Sequence, residues 1–323
     1  MRSPPRCRRH RTHAYCVCAP FASHITWPHS AARCTGSFSD GRFYRLDAHV
    51  DRILRNANRA QIPHDFTREG LIEIITQTVR STGLKDGSVR YFLTAGHGGF
   101  SWTPEECVEA GFYVIVIDGG AATGEGVMTV EELVLEKEFT AESRFLRPQF
   151  LAQTKSNNYL LNVMIAMESK AQGGAGYGVW VDDDDLVIEG AVCSVVFVND
   201  DNELITPRTD FERTALEGTT VKRVLAVAER MVAEGKLKSV QQRDITATEA
   251  KSSLKEMFTV GGDTHFSPLG EWDGVKVGAK GMDGEVGEVC KEIYQALLDE
   301  MMQDANDESL HIDIYETVSA SAN

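Results

Sequence analysis

Three short stretches of this 323-residue chain carry residue types that do chemistry when a fold brings them together. They are Thr154-Lys155-Ser156-Asn157-Asn158-Tyr159-Leu160-Leu161-Asn162, Leu186-Val187-Ile188-Glu189-Gly190 and Ala215-Leu216-Glu217-Gly218-Thr219-Thr220-Val221-Lys222-Arg223. Most lysines are solvated surface groups. One that acts as a nucleophile needs a lowered pKa and a fixed position, which burial beside a cationic group supplies. Gly218-Thr219-Thr220 opens a helical pattern, and the free N–H groups of a first helical turn form an anion site. The same threonines also suit a plain helix cap. Glu189 lies on an apolar strand pattern, where an unpaired carboxylate is costly; its alternative is a solvated turn acid after the acidic run 182–185.

The elements that must position these residues follow from periodicity. Val50, Ile53, Leu54 and Ala57 share a helical face, with Asp47 as its cap, and Leu71, Ile74, Ile75 and Val79 mark a second helix ended by Ser81-Thr82-Gly83. Aromatic and β-branched runs predict strands over 88–95 and 112–118. Residues 138–154 hold no period and contain the Arg147-Pro148 step, so they are expected to connect two domains. A second half then begins with a helix over 156–172. Strands near 178–181, 192–198 and 203–206, a helix from Thr219, a strand over 237–245 and a helix over 287–302 follow. The expected organisation is an atypical segment 1–34, a small N-terminal α/β domain 35–137, a connection 138–154, a larger domain 155–306 and a tail 307–323. Hairpin-like strand pairs rather than strict strand–helix alternation make the fold class α+β, and the cleft between two such halves is the expected ligand site.

Composition narrows the classes. With 42% hydrophobic and 25% charged residues the chain is ordinary for a soluble globular protein, and no apolar run reaches the length of a membrane span. Residues 1–34 hold six arginines and no acid, which leaves the remainder with 27 basic against 48 acidic side chains. So acidic a body argues against a nucleic-acid partner. The first 34 residues also hold four of the seven cysteines, but Cys16-Val17-Cys18 with scattered histidines lacks the paired ligand spacing of a zinc module, so no metal is expected. An arginine-rich, acid-free start fits an organellar transit peptide, which implies a plastid or another organelle and otherwise the cytoplasm.

Taken in order, the three motifs resemble the signature of fold-type IV, or class IV, pyridoxal-phosphate aminotransferases. The likeness begins at Thr35, takes in Phe43-Tyr44-Arg45-Leu46-Asp47-Ala48-His49-Val50-Asp51-Arg52, and reaches Glu256-Met257-Phe258, Gly261-Gly262-Asp263-Thr264 and the last helix. It implies a two-domain D-amino-acid aminotransferase-like fold with pyridoxal 5′-phosphate in the interdomain cleft and Lys155 carrying it as a Schiff base. Glu189 would then face the ring nitrogen and Tyr159 the ring hydroxyl, while Thr219, Thr220, Arg52 and Thr264 would hold the phosphate. Arg90 stands where the branched-chain enzymes place an arginine and would hold the substrate carboxylate.

Within the family the likeness is greatest to plant plastid D-amino-acid transaminases, some of which also show 4-amino-4-deoxychorismate lyase activity. It implies transfer of an amino group from an amino acid, D in configuration, to a 2-oxo acid, with lyase or branched-chain aminotransferase activity as alternatives and a homodimer as the assembly. The strands that open the family's domain find no resemblance in residues 1–34. This predicts that the segment is a mis-joined exon or poorly ordered, and leaves a catalytically impaired cofactor-binding homologue as a further alternative.

Overall fold

The computed structural model describes residues 14–16, 32–98, 104–118, 128–141, 147–209, 215–261, 265–278, 284–302 and 311–315. The N-terminal half is an antiparallel sheet covered by two helices. Its strands are β1 (Ala14–Cys16), β2 (Ala32–Ser39), β3 (Arg42–Tyr44), β4 (Gly87–Thr94) and β5 (Gly111–Asp118), joined by β16 (His311–Asp313) from the far end of the chain. Among the described strands the order is β1-β5-β4-β2-β3-β16.

Strand β2 shows why this sheet has two unlike faces. Ala32, Cys34, Gly36 and Phe38 turn inward, while Arg33, Thr35 and Ser37 alternate on the other face. The inward set packs under α1 (Leu46–Arg59) and α2 (Arg68–Thr82), which bury Leu46, Val50, Ile53, Ala57, Leu71, Ile75 and Val79. Helix α1 begins after Arg45, whose φ is 53°, and Asp47 sits inside the first turn rather than capping it. Helix α2 has the expected stop at Gly83, with φ 72°.

The second half contains β6 (Glu136–Glu138), β7 (Thr140–Ala141), β8 (Val179–Val181), β9 (Val187–Gly190), β10 (Cys193–Asn199), β11 (Glu203–Thr206), β12 (Ser239–Gln242), β13 (Leu254–Gly261), β14 (Phe266–Trp272) and β15 (Val275–Lys276). Its described helices are α3 (Gln149–Ala152), α4 (Leu160–Gln172), α5 (Thr219–Ala233), α6 (Ala247–Ser252) and α7 (Glu288–Met302). The main sheet runs β12-β11-β10-β13-β14-β15 with β6 beside β14, and β7, β8 and β9 form a smaller one. Helices α5 and α7 pack over one face of the main sheet through Val221, Val224, Ala228, Cys290 and Ile293. Residues of β8 and β9 meet the other face around Phe197, Met257 and Trp272.

Two buried carboxylates tie this half together. Glu138 is fully buried and accepts the backbone N–H groups of Tyr177 and Gly178 and the Ser169 hydroxyl. Glu256 accepts the backbone N–H groups of Val289 and Cys290 in the first turn of α7, satisfying donors that the helix leaves open. Glycine at 287 leaves room for this, since a Cβ there would run into the Glu256 carboxyl group.

Besides the cap of α1, four expectations are corrected. Residues 138–154 are not a plain connection, because β6 and β7 already pair with β14 and β8 of the second half. The segment 307–323 is not only a tail: β16 pairs with β3, and Ile314 is fully buried in the N-terminal core. Within 1–34, β1 pairs with β5 and residues 32–34 pair with β4; the rest of that expectation lies outside the described residues. Helix α4 starts at Leu160 rather than 156. Among the described residues no helix is long and apolar enough to cross a membrane.

Replacing Ile314 by Ala should destabilise the protein by about 2–4 kcal/mol in urea unfolding, the cost of a core cavity. A loss under about 0.5 kcal/mol, the level of a surface change, would show that the last residues do not belong to the core.

Candidate active site

Lys155 lies on the connection between α3 and α4, and the N-terminal sheet reaches across to hold it. The Arg33 N–H donates to the Lys155 carbonyl at 3.0 Å, and Ala32 forms an isolated bridge with Ser156. The Lys155 Nζ in turn donates to the Tyr159 hydroxyl at 2.9 Å. The helix predicted over 156–172 would carry Tyr159, but a Tyr159 N–H to Asn157 carbonyl turn bond of 2.8 Å delays helix α4 to Leu160. Burial acts to raise the Tyr159 phenol, yet the charges of Lys155, Arg33 and Arg147 together hold it below its ordinary value.

Glu189 sits within β9 and is 5% exposed. Its carboxylate pairs with the Arg147 guanidinium and accepts the Leu216 N–H at 3.0 Å. Burial still raises the Glu189 carboxyl above its usual range against the pull of Arg147. Arg147 is itself buried and lies over the Trp180 ring, 4.9 Å from its centre.

Helix α5 aims its first turn at the same space. Gly218 precedes it in an extended conformation with no side-chain cap, so the leading N–H groups stay available to an anion. The Thr220 hydroxyl donates to the Gly261 carbonyl at 2.6 Å, and the Thr219 hydroxyl meets His49 Nε2 at 3.2 Å. Arg52 of α1 is 5% exposed and donates to the Cys34 sulfur at 2.9 Å. Burial would raise the Cys34 thiol, but the charge of Arg52 and the contact with His49 pull it well below the ordinary thiol value. Thr264 lies outside the described residues.

All the other expected site residues line one cavity of about 480 Å³: Arg52, Arg90, Lys155, Tyr159, Glu189, Thr219 and Thr220. Arg90 enters from β4 opposite Thr35 of β2. The residues fit a doubly charged phosphate ester on an aromatic ring. Five cationic side chains, Arg33, Arg52, Arg90, Arg147 and Lys155, face two carboxylates, Glu136 and Glu189. The Nε atoms of Arg52, Arg90 and Arg147 are buried without a partner among the described residues, and buried donors of that kind are costly unless an anion completes them. The cavity can therefore hold an anionic cofactor by its phosphate, present a lysine to its reactive carbon, and set a carboxyl group and a phenol against its ring.

Several lining residues escape a reading of the sequence. Arg147 falls in the predicted connection because of the proline that follows it, and nothing local in its sequence marks its pairing with Glu189. Arg33 falls in the segment that reads as atypical, although the period-two pattern from Ala32 to Phe38 places it on the face opposite the core. The rings of Tyr177 and His265 pack at a tilt of 53° with centres 4.4 Å apart on the cavity wall. Burial pushes the Tyr177 phenol up to about 12 and His265 down to about 4.

Residues 35–272 match the family model for amino-transferase class IV. The chain is 38% identical over 269 residues to a chloroplastic D-amino-acid transaminase of Arabidopsis thaliana, covering 83% of this chain and 67% of that protein. It is 28% identical over 259 residues to a branched-chain-amino-acid aminotransferase of Pseudomonas aeruginosa, covering 79% and 78% respectively. The solved structure of a branched-chain amino acid aminotransferase from Escherichia coli has a TM-score of 0.72 at 19% identity, over 89% of this chain and 90% of that one. At that identity the likeness shows the shared fold.

His265 gives the site a pH signature. Its folded value of about 4 lies below the usual 6.5, so the neutral ring stabilises the fold fully above pH 6.5 and that stability is lost as pH falls towards 4. The expected loss is at most about 3 kcal/mol, and His265→Gln should flatten the urea midpoint across this window. An unchanged pH slope in His265→Gln would show that the ring titrates normally.

Proposed function

We propose, from the premise that this chain belongs to the amino-transferase class IV family, that it is a D-amino-acid transaminase whose Lys155 carries pyridoxal 5′-phosphate. The observation that carries this reading is the placement of Lys155 Nζ, held by Tyr159 in a cavity whose remaining walls are anion donors. Preference for D-amino acids is supported by the 38% identity to the plant relative.

Pyridoxal 5′-phosphate, when bound, supplies a ring that withdraws electrons from the substrate Cα. The chain's own groups divide the remaining work. Arg52 and the first turn of α5, at Thr219 and Thr220, would hold the phosphate, since both present N–H donors to the cavity. Glu189 would face the ring nitrogen, with its carboxyl oriented by Arg147 and the Leu216 N–H. Tyr159 keeps Lys155 in place through the 2.9 Å hydrogen bond. Lys155, whose amine lies at the cavity wall, would serve as the base that takes the Cα proton and returns one on the opposite leg of the exchange. Arg90 would orient the substrate by its carboxylate, which fixes which Cα bond faces Lys155.

The assembly belongs to the same reading. Helix α4 leaves Leu160, Val163, Met164 and Met167 exposed at helical spacing, and Phe150 of the preceding α3 is 56% exposed. A stripe of this kind marks a protein contact, and we assign it to a second copy of the chain. Sedimentation of the wild type should give a dimer and Met167→Glu a monomer; a monomeric wild type would remove this assembly.

For the chemistry, purified wild type should show the visible absorbance of a lysine-linked cofactor and Lys155→Ala should not; equal spectra would refute the attachment. Turnover of D-alanine with a 2-oxo acid should fall by about a thousandfold or more in Lys155→Ala, as for loss of a nucleophile. Activity on L-leucine alone would overturn the D-amino-acid reading, and pyruvate release from aminodeoxychorismate without transamination would make the protein a lyase.

A further inference from the structure

The cation surplus of the cavity exceeds what the cofactor reading consumes. Arg147 is paired with Glu189, and the cofactor reading uses Lys155 as the attachment point and Arg52 with the helix N-terminus for the phosphate. Glu136 is held by the Ser267 hydroxyl and forms no ion pair among the described residues. Two guanidinium groups remain, Arg33 of β2 and Arg90 of β4, on adjacent strands and the same face of the sheet. Neither has a hydrogen-bond or carboxylate partner among the described residues, and the Arg90 Nε is buried.

The position of Arg33 is not that of a side chain left over at an edge. Its backbone is tied to the Lys155 carbonyl at 3.0 Å, and its guanidinium carbon stands 4.2 Å from the centre of the Tyr159 ring. That contact orients the cation beside the reacting lysine and brings no negative charge to it. A partly buried guanidinium has five N–H donors in a fork that matches a carboxylate, and leaving it without an anion in a low-dielectric cavity is costly. A substrate with one carboxylate supplies an anion to only one of the two arginines.

We propose that Arg33 is a specificity-determining residue that holds a second carboxylate, so that with Arg90 the site selects dicarboxylic amino and oxo acids. The proposal rests on the transaminase reading for its substrates but not for its binding test. A chain of a few methylenes between the two carboxylates lets one meet Arg90 and the other meet Arg33, with Cα presented to Lys155. Monocarboxylic substrates then bind with one arginine unmatched and lose the corresponding charge-assisted hydrogen bonds.

The test compares glutarate with pentanoate, which differ in the second carboxylate, as ligands of the purified holoenzyme by calorimetry. Glutarate should bind the wild type about ten- to a hundredfold more tightly, the effect of hydrogen bonds to a charged group. Arg33→Met should abolish that preference while moving pentanoate affinity by less than about threefold, and Arg33→Lys should restore part of it. In turnover, the ratio of kcat/KM for D-glutamate over D-alanine should fall in Arg33→Met by the same factor. Equal binding of the two acids to the wild type, a preference that survives in Arg33→Met, or an equal loss of both acids would each overturn the proposal. Absence of turnover with every amino donor would overturn the transaminase reading instead, while the glutarate to pentanoate ratio would still decide the role of Arg33.

Discussion

Among the described residues, a backbone stitch joins the N-terminal sheet to the segment that carries Lys155. The Arg33 N–H bonds to the Lys155 carbonyl, and Ala32 bridges Ser156. Through it the first long strand of the N-terminal sheet fixes the height of the lysine relative to the arginines of that sheet. The alternation of β2 then sorts its side chains: Arg33 and Thr35 face the cavity, while Cys34 turns back towards Arg52 and His49. A shift of one residue in this register would exchange those faces, taking a cation from Tyr159 and burying it in the core. The site therefore depends on a strand register more than on any single side-chain contact.

Charge is the second organising term. Cationic groups from β2, α1, β4, the approach to α3 and the lysine connection converge on one cavity, and among the described residues only Arg147 has a carboxylate for itself. Such convergence is unfavourable without an anion, and a phosphate-bearing cofactor removes much of the penalty. Binding of that kind stabilises the folded state as well as enabling chemistry, because the affinity is linked to folding. The low position of the Cys34 thiol belongs to the same field, since burial by itself acts the other way.

Much of this was legible in the sequence where a pattern is local and repeated. Helices α1, α2, α5 and α7 and strands β4, β5, β10 and β11 carry enough apolar residues at fixed spacing to announce themselves. The motif residues Lys155, Tyr159, Glu189, Thr219, Thr220, Arg52 and Arg90 do meet in one cavity. What escaped was non-local. Strands β6, β7 and β16 have two or three residues each, too few to show a period, and exist because partners far along the chain complete their hydrogen bonds. Glu138 reads as one acid in a charged stretch, yet it is fully buried because the Tyr177 and Gly178 N–H groups and the Ser169 hydroxyl converge on it. Arg147 and Arg33 are hidden for the same reason: their significance lies in Glu189 and Tyr159, which neither neighbours in sequence.

The return of β16 to the edge of the N-terminal sheet bears on how the protein is made. Strand β3, already paired with β2, acquires its second neighbour, and the first core acquires Ile314, from residues beyond position 310. During synthesis the earlier lobe emerges with one sheet edge open and one core position unfilled until the second lobe has left the ribosome. Exposed edges and unfilled cores are what nascent chains aggregate through. The closing strand thus makes completion of the chain a condition for completion of its oldest part, and the lobe translated first is among the last to be finished.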